Sequence, residues 1–167
     1  MHSDFLELLQ LLNIHKVRYL VIGGYAYGFH VEPRYTKDID IWIEASKSNA
    51  TRVLKVLDIF GAPVDNLTIK DLAIPGLIYI FGVPPMRVDI LNRVSGGQFS
   101  SAYKNRTMAQ VGKISIPIVN RKDLIRMKQS AGRTQDRADL EKLLDVPDSG
   151  TVRKSGKKKV RASRNNL

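Results

Sequence analysis

The stretch over residues 21–43, VIGGYAYGFHVEPRYTKDIDIWI, constrains the fold more than any other part of the chain. It starts at the end of a short apolar run that Gly23 and Gly24 interrupt, a pattern typical of a buried strand that enters a tight turn. A helix is expected to follow. Because glycine has no Cβ and the first N–H groups of a helix have no partners within it, this turn is suited to bind an anion such as phosphate.

The second half of the stretch, DIDIWI over residues 38–43, alternates carboxylates with isoleucines. The two-residue period of a strand places Asp38 and Asp40 on one face and the isoleucines on the other. At a rise of about 3.3 Å per residue, the two carboxylates start roughly 7 Å apart, close enough to share a hard divalent cation such as Mg²⁺. Two solvated acids on an exposed strand face are the alternative interpretation. The Gly-Gly turn upstream favours the metal site.

A third acidic residue lies in a later strand. Residues 77–91, with LIYIF and MRVDIL on either side of GVPP, predict an antiparallel hairpin. Asp89 stands there among apolar strand residues, where an ionised acid is costly unless it is paired or bound to a metal. A surface ion pair with Arg87 or Arg93 is the alternative. We interpret Asp89 as a third ligand beside the two earlier aspartates.

The remaining elements follow from capping residues and apolar periodicity. Helices are predicted to begin at Ser3, Ser46, Asn120 and Thr134 and to stop near Asn13, Gly61, Gly132 and Pro147, with short strands over residues 107–111 and 114–118. The last helix is expected to bury Ala138, Leu140, Leu143 and Leu144. This succession of helices and strands predicts an α/β (α+β) fold.

Charge divides the chain into a domain over residues 1–148 and a basic tail over residues 149–167. The net charge is +11, and residues 151–167 contain seven cations and no acid. Such a segment cannot bury enough apolar surface to order itself, so we expect it to be disordered. It is interpreted either as a solubilising end or as an electrostatic arm for RNA or DNA. Without cysteines and without a long apolar segment, the chain is expected to be cytoplasmic, with no membrane span.

Two motifs together carry a family resemblance. Thirteen residues separate Gly23-Gly24 from Asp38-x-Asp40, and a later strand supplies Asp89. In these features the sequence resembles the minimal nucleotidyltransferases of the DNA polymerase β superfamily. It is most similar to a small bacterial and archaeal branch whose signature appears here as GGYA (residues 23–26) and RYTKDID (residues 34–40). That branch includes toxins of abortive-infection-type toxin–antitoxin systems.

The resemblance implies a nucleotidyltransferase-like fold, with a small mixed β-sheet flanked by helices, and a role for each matching residue. Gly23 and Gly24 would hold the β- and γ-phosphates of a nucleoside triphosphate (NTP), and Asp38 and Asp40 would bind Mg²⁺. Asp89 would complete the site of a second Mg²⁺ ion and help to deprotonate the attacking hydroxyl, as in two-metal displacement with pyrophosphate as the leaving group.

The resemblance also suggests roles for residues outside the turn and the strands. Lys128 is a candidate for contacting the triphosphate, with a solvated helix lysine as the alternative. Arg34 either contacts phosphate or braces its loop. The acids at positions 136 and 139 are expected to position Arg133 or Arg137 rather than to bind metal.

These features predict an enzyme that transfers a nucleotidyl group from an NTP to a hydroxyl acceptor, either RNA (such as tRNA) or protein. A role as a toxin, with an antitoxin protein as partner, is a further hypothesis. One alternative is a non-catalytic module that binds NTP or a partner on the same fold. Another is a nucleotidyltransferase for a small molecule such as an antibiotic, from which the basic composition points away.

Overall fold

The computed structural model describes residues 1–147, so the predicted boundary at 148 and the basic tail lie outside the described residues. The helices are α1 (Ser3–Ile14), α2 (Gly23–His30), α3 (Lys47–Phe60), α4 (Ile69–Ala73), α5 (Phe99–Lys104), α6 (Arg121–Ala131) and α7 (Thr134–Asp145). The strands are β1 (Tyr19–Ile22), β2 (Asp38–Ile43), β3 (Ile78–Phe81), β4 (Arg87–Leu91), β5 (Thr107–Val111) and β6 (Ile114–Ile118).

These strands form a mixed sheet in the order β3-β4-β2-β1-β6-β5. β2 runs parallel to β4 and β1 runs parallel to β6, while the other neighbours are antiparallel. The predicted hairpin over residues 77–91 is present as β3–β4, and the two short strands predicted over residues 107–111 and 114–118 pair with each other as β5 and β6. The prediction of a small mixed sheet flanked by helices is therefore confirmed.

Strand register brings distant residues into one row. Ile22 pairs with Asp40, Asp40 pairs with Asp89, and Asp89 pairs with Ile80, across β1, β2, β4 and β3. Directly opposed residues on neighbouring strands point to the same face of a sheet. The row therefore places Asp40 and Asp89 side by side on one face, which we call the carboxylate face.

The opposite face of β2 carries Ile39, Ile41 and Ile43, which are fully buried. Helix α3 covers that face, since the Phe60 ring contacts the Phe81 ring with centroids 6.1 Å apart. Helices α2, α6 and α7 pack against one another on the carboxylate face. The isoleucines of β2 therefore face the hydrophobic core and its aspartates face the opposite side of the sheet, as the alternation predicts.

Most predicted helix ends agree with the structure. The Ser46 and Asn120 side chains accept hydrogen bonds from the third backbone N–H of α3 and α6, and Gly61 and Gly132 end those helices in the left-handed conformation. The prediction of Ser3 as the first cap is wrong by one residue, because His2 caps α1.

The predicted apolar stripe of α7 is wrong in part. Ala138 and Leu144 are exposed, whereas Asp136 and Asp139 are buried together with Leu143. The physical reason is a buried cation on α6 that these two acids neutralise, as described below. Over the described range, no helix has the length and apolarity needed to cross a membrane.

Candidate active site

The three predicted aspartates lie together on the carboxylate face. Asp40 and Asp89 are direct partners on the parallel strands β2 and β4, and Asp38 lies two residues before Asp40, on the same face. Asp89 is buried, while Asp38 and Asp40 are partly exposed. The structure therefore brings all three acids into one small volume at the floor of a cleft.

The electrostatics of this volume favour a cation. Burial, together with the nearby charges of Asp38 and Asp89, raises the pKa of Asp40 to about 6, and Arg133 and Arg87 offset only part of this rise. The Asp40 carboxylate makes no hydrogen bond or ion pair with any residue of the described range. A carboxylate group that is crowded by two others and lacks a partner is suited to bind a hard cation with oxygen ligands.

The Arg87 guanidinium lies between the other two carboxylates. Its Nη2 donates to Asp38 at 2.6 Å and to Asp89 at 3.0 Å, and its Nε donates to Asp89 at 2.9 Å. Within residues 1–147 no three acidic or histidine side chains converge on one point as a ready-made metal centre. The donor set fits Mg²⁺ in chemistry, but Arg87 has to move before all three acids can share it.

The Gly-Gly turn lies directly against these acids. Gly23 has φ of 63°, and a Cβ placed there would lie 2.7 Å from Cγ of Asp40 and closer still to its Oδ2. A Cβ on Gly24 would lie 2.5 Å from Cγ2 of Thr36. Helix α2 begins at Gly23, and Ile22, at its cap position, offers no side-chain acceptor. The first N–H groups of α2 therefore face the cleft beside Asp40 without a side-chain cap.

The predicted phosphate cations are held by acids on α7. The Lys128 ammonium donates to Asp136 at 2.8 Å and to Asp139 at 2.6 Å, and Arg34 Nη1 donates to Asp139 at 2.7 Å. Burial by itself raises the pKa of Asp139, but the hydrogen bonds from Lys128 and Arg34 outweigh it, so that the pKa lies below its usual value. The prediction that these acids position Arg133 or Arg137 is wrong.

Arg34 is held in place by α7 and by an aromatic ring, close to the glycine turn. Its Nη1 braces α7 through Asp139, and its guanidinium carbon lies 4.3 Å from the centre of the Tyr27 ring. Its Nη2 lies only 3.8 Å from the position that a Cβ on Gly24 would take. The side chain is therefore fixed by its neighbours with one nitrogen beside the glycine turn.

The cleft, about 760 Å³ in volume, includes further residues to which the sequence analysis assigned no part in binding. Arg133, at the N-cap of α7, is exposed, and its side chain makes no hydrogen bond or ion pair with the described residues. It is close enough to lower the pKa of Asp40. Tyr35 is 76% exposed in the loop before β2. Ile78 and Ile80 of β3 form an apolar wall. Two of these residues had a sequence signal: Tyr35 lies inside RYTKDID, and Arg133 was an expected partner of the acids at positions 136 and 139.

A second cavity, about 840 Å³ in volume, lies at the start of α6 and contains none of the three aspartates. Two of its cations are already engaged, since Arg121 donates to the Leu143 and Val146 carbonyls and Arg126 pairs with Asp123. The smaller cleft is the better candidate for chemistry, because it unites the acids, the glycine turn and an exposed arginine.

Comparisons with known proteins give a family match and a structural match. The model of a family described as nucleotidyltransferase of unknown function (DUF6036) matches residues 3–165. No curated protein sequence matches the chain. The crystal structure of the lincomycin-bound lincosamide antibiotic adenylyltransferase LnuA is similar, with a TM-score of 0.54 and 15% identity over 88% of this chain and 98% of that chain. At this identity the likeness shows a shared fold.

Proposed function

The chain belongs to this nucleotidyltransferase family, and we propose that it transfers a nucleoside monophosphate from an NTP to a hydroxyl acceptor with the help of Mg²⁺. The observation that carries the proposal is the cross-strand pairing of Asp40 with Asp89 directly against the Gly23 backbone. A turn suited to bind phosphate, three carboxylates suited to bind metal and the unpaired side chain of Arg133 therefore lie next to one another. Nucleotidyl transfer requires these three kinds of group at one site.

We propose that the N–H groups at Gly23 and Gly24 bind the β- and γ-phosphates, because a helix N-terminus favours anions and neither residue has a Cβ in the way. The Arg34 guanidinium would add a positive charge beside the turn, and Arg133, which also lines the cleft, would add a second. Lys128 and Arg34 both donate to Asp139, so Lys128 helps to hold Arg34 in place. We also propose that Lys128 contacts the triphosphate directly.

Asp38, Asp40 and Asp89 would hold two Mg²⁺ ions, which supply Lewis-acid stabilisation of the charge on the attacking and leaving oxygens. In the reaction, the acceptor oxygen forms a bond to the α-phosphorus. The bond from that phosphorus to the bridging oxygen of the β-phosphate breaks, and pyrophosphate leaves with the electron pair. The proton of the acceptor hydroxyl passes to Asp89, the acid farthest from the glycine turn along the row.

RNA, including tRNA, is the acceptor that the charge of the chain supports best. The basic tail has seven cations and no acid over residues 151–167, and such a segment attracts a polyanion with a strong salt dependence. Deletion of residues 149–167 should weaken RNA binding and flatten its salt slope while NTP binding stays unchanged. Equal RNA affinity and salt slope in the two proteins would make the tail a solubilising end only.

The direct test is labelling by α-³²P-labelled NTPs in the presence of Mg²⁺, with cellular RNA, tRNA or protein as acceptor. Asp38→Asn and Asp40→Asn should abolish labelling, whereas Asp58→Asn on the exposed surface of α3 should not. Labelling that survives both cleft substitutions would refute the proposed site. NTP binding without any labelled product would favour the non-catalytic alternative.

The same assay separates the other candidates. The likeness to an antibiotic adenylyltransferase supports transfer to a small molecule as a second function, and this function predicts a labelled low-molecular-weight product. A protein acceptor predicts label that protease removes and ribonuclease does not. A toxin role predicts growth arrest when the wild-type chain is expressed in bacteria and normal growth with Asp40→Asn.

A further inference from the structure

The strand register fixes the order in which residues follow one another across the floor of the cleft. Along the row, Gly23 follows Ile22 on β1, then come Asp40 on β2 and Asp89 on β4, and Ile80 lies last on β3. Neighbouring strands lie about 4.8 Å apart, so Ile80 is about 5 Å beyond Asp89 and about 10 Å beyond Asp40. The glycine turn and β3 therefore lie at opposite ends of the acid cluster.

In an in-line displacement, the leaving group and the acceptor would lie at opposite ends of this row. The attacking and leaving oxygens lie on opposite sides of the phosphorus in such a reaction. If the leaving pyrophosphate occupies the glycine turn, the acceptor hydroxyl has to approach from the side of Asp89. The rest of the acceptor molecule then lies over β3.

The surface at that end is apolar and exposed. Ile78 and Ile80 are 61% and 51% exposed, whereas Ile39 and Ile41 of β2 are fully buried. Leu91 pairs with Ile78 and extends the surface toward the cleft. We name Ile78, Ile80 and Leu91 the apolar platform. β3 ends the sheet, and no other described strand pairs with its outer edge.

The spacing of Asp89 and the platform, together with the charge of the chain, indicates which kind of acceptor binds there. The acceptor must combine a hydroxyl at Asp89 with an apolar group about one strand spacing away, which is the arrangement of a sugar and its base in a nucleoside. Arg93, two residues after Leu91, is exposed and makes no ion pair with the described residues. With a net charge of +11 for the chain, a polyanionic acceptor is favoured over a neutral peptide or a cationic small molecule.

On this basis, and resting on the proposed function, we propose that the apolar platform binds the terminal nucleobase of an RNA acceptor whose 3′ hydroxyl attacks the NTP. The base packs on Ile78 and Ile80, and the ribose lies over Asp89. The preceding phosphate lies toward Arg93. The platform thus determines which hydroxyl reaches the α-phosphorus.

The test compares two double variants of the full chain, matched in chemistry and in exposure. Ile78→Ser with Ile80→Ser alters the platform, and Ile14→Ser with Ile59→Ser alters isoleucines of α1 and α3 that are 62% and 51% exposed. With a short single-stranded RNA as acceptor, the platform variant should raise the KM for RNA about tenfold or more, because apolar contact with the base is lost. The KM for NTP should stay within about twofold. The control variant should behave as wild type.

A second readout does not depend on turnover. A short RNA that ends in 4-thiouridine and lacks the 3′ hydroxyl should crosslink under ultraviolet light to the tryptic peptides that contain β3 and β4. Substitution of Ile78 and Ile80 by serine should reduce this crosslink. Crosslinks confined to other peptides, or equal RNA KM values for the two double variants, would overturn the proposal.

The outcomes separate this inference from the proposed function. If Asp40-dependent transfer occurs but the labelled acceptor is a polypeptide or a small molecule, the proposed function stands and the RNA platform is wrong. If the RNA crosslinks to the platform but no transfer to any acceptor is found, the platform stands as a binding surface and the proposed activity fails.

Discussion

Gly23→Ala tests the geometry of the site more sharply than removal of an acid. Gly23 has φ of 63°, where an alanine costs about 1–2 kcal/mol. The added Cβ would lie 2.7 Å from Cγ of Asp40, although ordinary contact begins at 3.4 Å. The Asp40 carboxylate therefore has to withdraw by about 1 Å, a misplacement that typically lowers a catalytic rate by about 100-fold.

The chain supplies a matched control for the backbone cost. Gly112, in the β5–β6 hairpin, has φ of 59°, and a Cβ there would meet nothing within 4 Å. Gly112→Ala should lose the same 1–2 kcal/mol, seen as a fall in Tm of about 2–8 °C, with normal catalysis. Gly23→Ala should show at least that loss of stability and, in addition, the fall in rate.

The assay has two parts. Thermal unfolding measures the stability of both alanine variants, and calorimetric titration of Mg²⁺ in the presence of a non-hydrolysable NTP analogue measures the site without an acceptor. Gly23→Ala should weaken Mg²⁺ binding, whereas Gly112→Ala should not. A Gly23→Ala protein that matches Gly112→Ala in metal affinity and in transfer rate would refute the close approach of the turn to Asp40.

Three further predictions follow from neighbouring contacts. The pKa of Asp40 rises from 3.8 to about 6 on folding, so the folded state binds this proton more tightly than the unfolded state does. The free energy of unfolding should therefore fall by up to about 3 kcal/mol as the pH rises from 4 to 6. Denaturant titrations without Mg²⁺ should show this fall in the wild type and not in Asp40→Asn. Lys128→Met should destabilise the fold by about 3–5 kcal/mol, because two buried acids lose their cation, whereas Lys142→Met on the exposed face of α7 should change little in the same titration. Gly24→Ala should weaken NTP binding through the clash with Cγ2 of Thr36, and Thr36→Ser, which removes that methyl group, should restore it; failure of the rescue would place the defect elsewhere.

The Arg87 guanidinium affects the stability of the acid cluster. It bridges Asp38 and Asp89, so it lowers the repulsion among the acids. The sequence offered an ion pair and a metal site as alternative interpretations of Asp89. The structure shows the ion pair, and Arg87 would have to move before Asp38 and Asp89 could share a metal ion.

Features that depend on neighbours along the chain could be predicted from the sequence. The caps at Ser46 and Asn120, the stops at Gly61 and Gly132 and the alternation over residues 38–43 all follow local rules of backbone hydrogen bonding and side-chain direction. These rules were enough to predict the ends of α3 and α6, the face that carries Asp38 and Asp40, and the glycine turn before them. The mixed sheet was implied by the family resemblance.

Contacts between distant parts of the chain settle which strands are neighbours and which buried charges meet. Periodicity gives the face on which Asp89 lies, but the parallel pairing of β4 with β2 joins segments nearly fifty residues apart. Periodicity also gave only apolar residues as the buried positions of α7, whereas Lys128 on α6 supplies the cation that neutralises Asp136 and Asp139 there. The exposure of Ile78 and Ile80 has the same origin: alternation cannot tell a central strand from an edge strand, because that difference depends on contacts far away in the sequence.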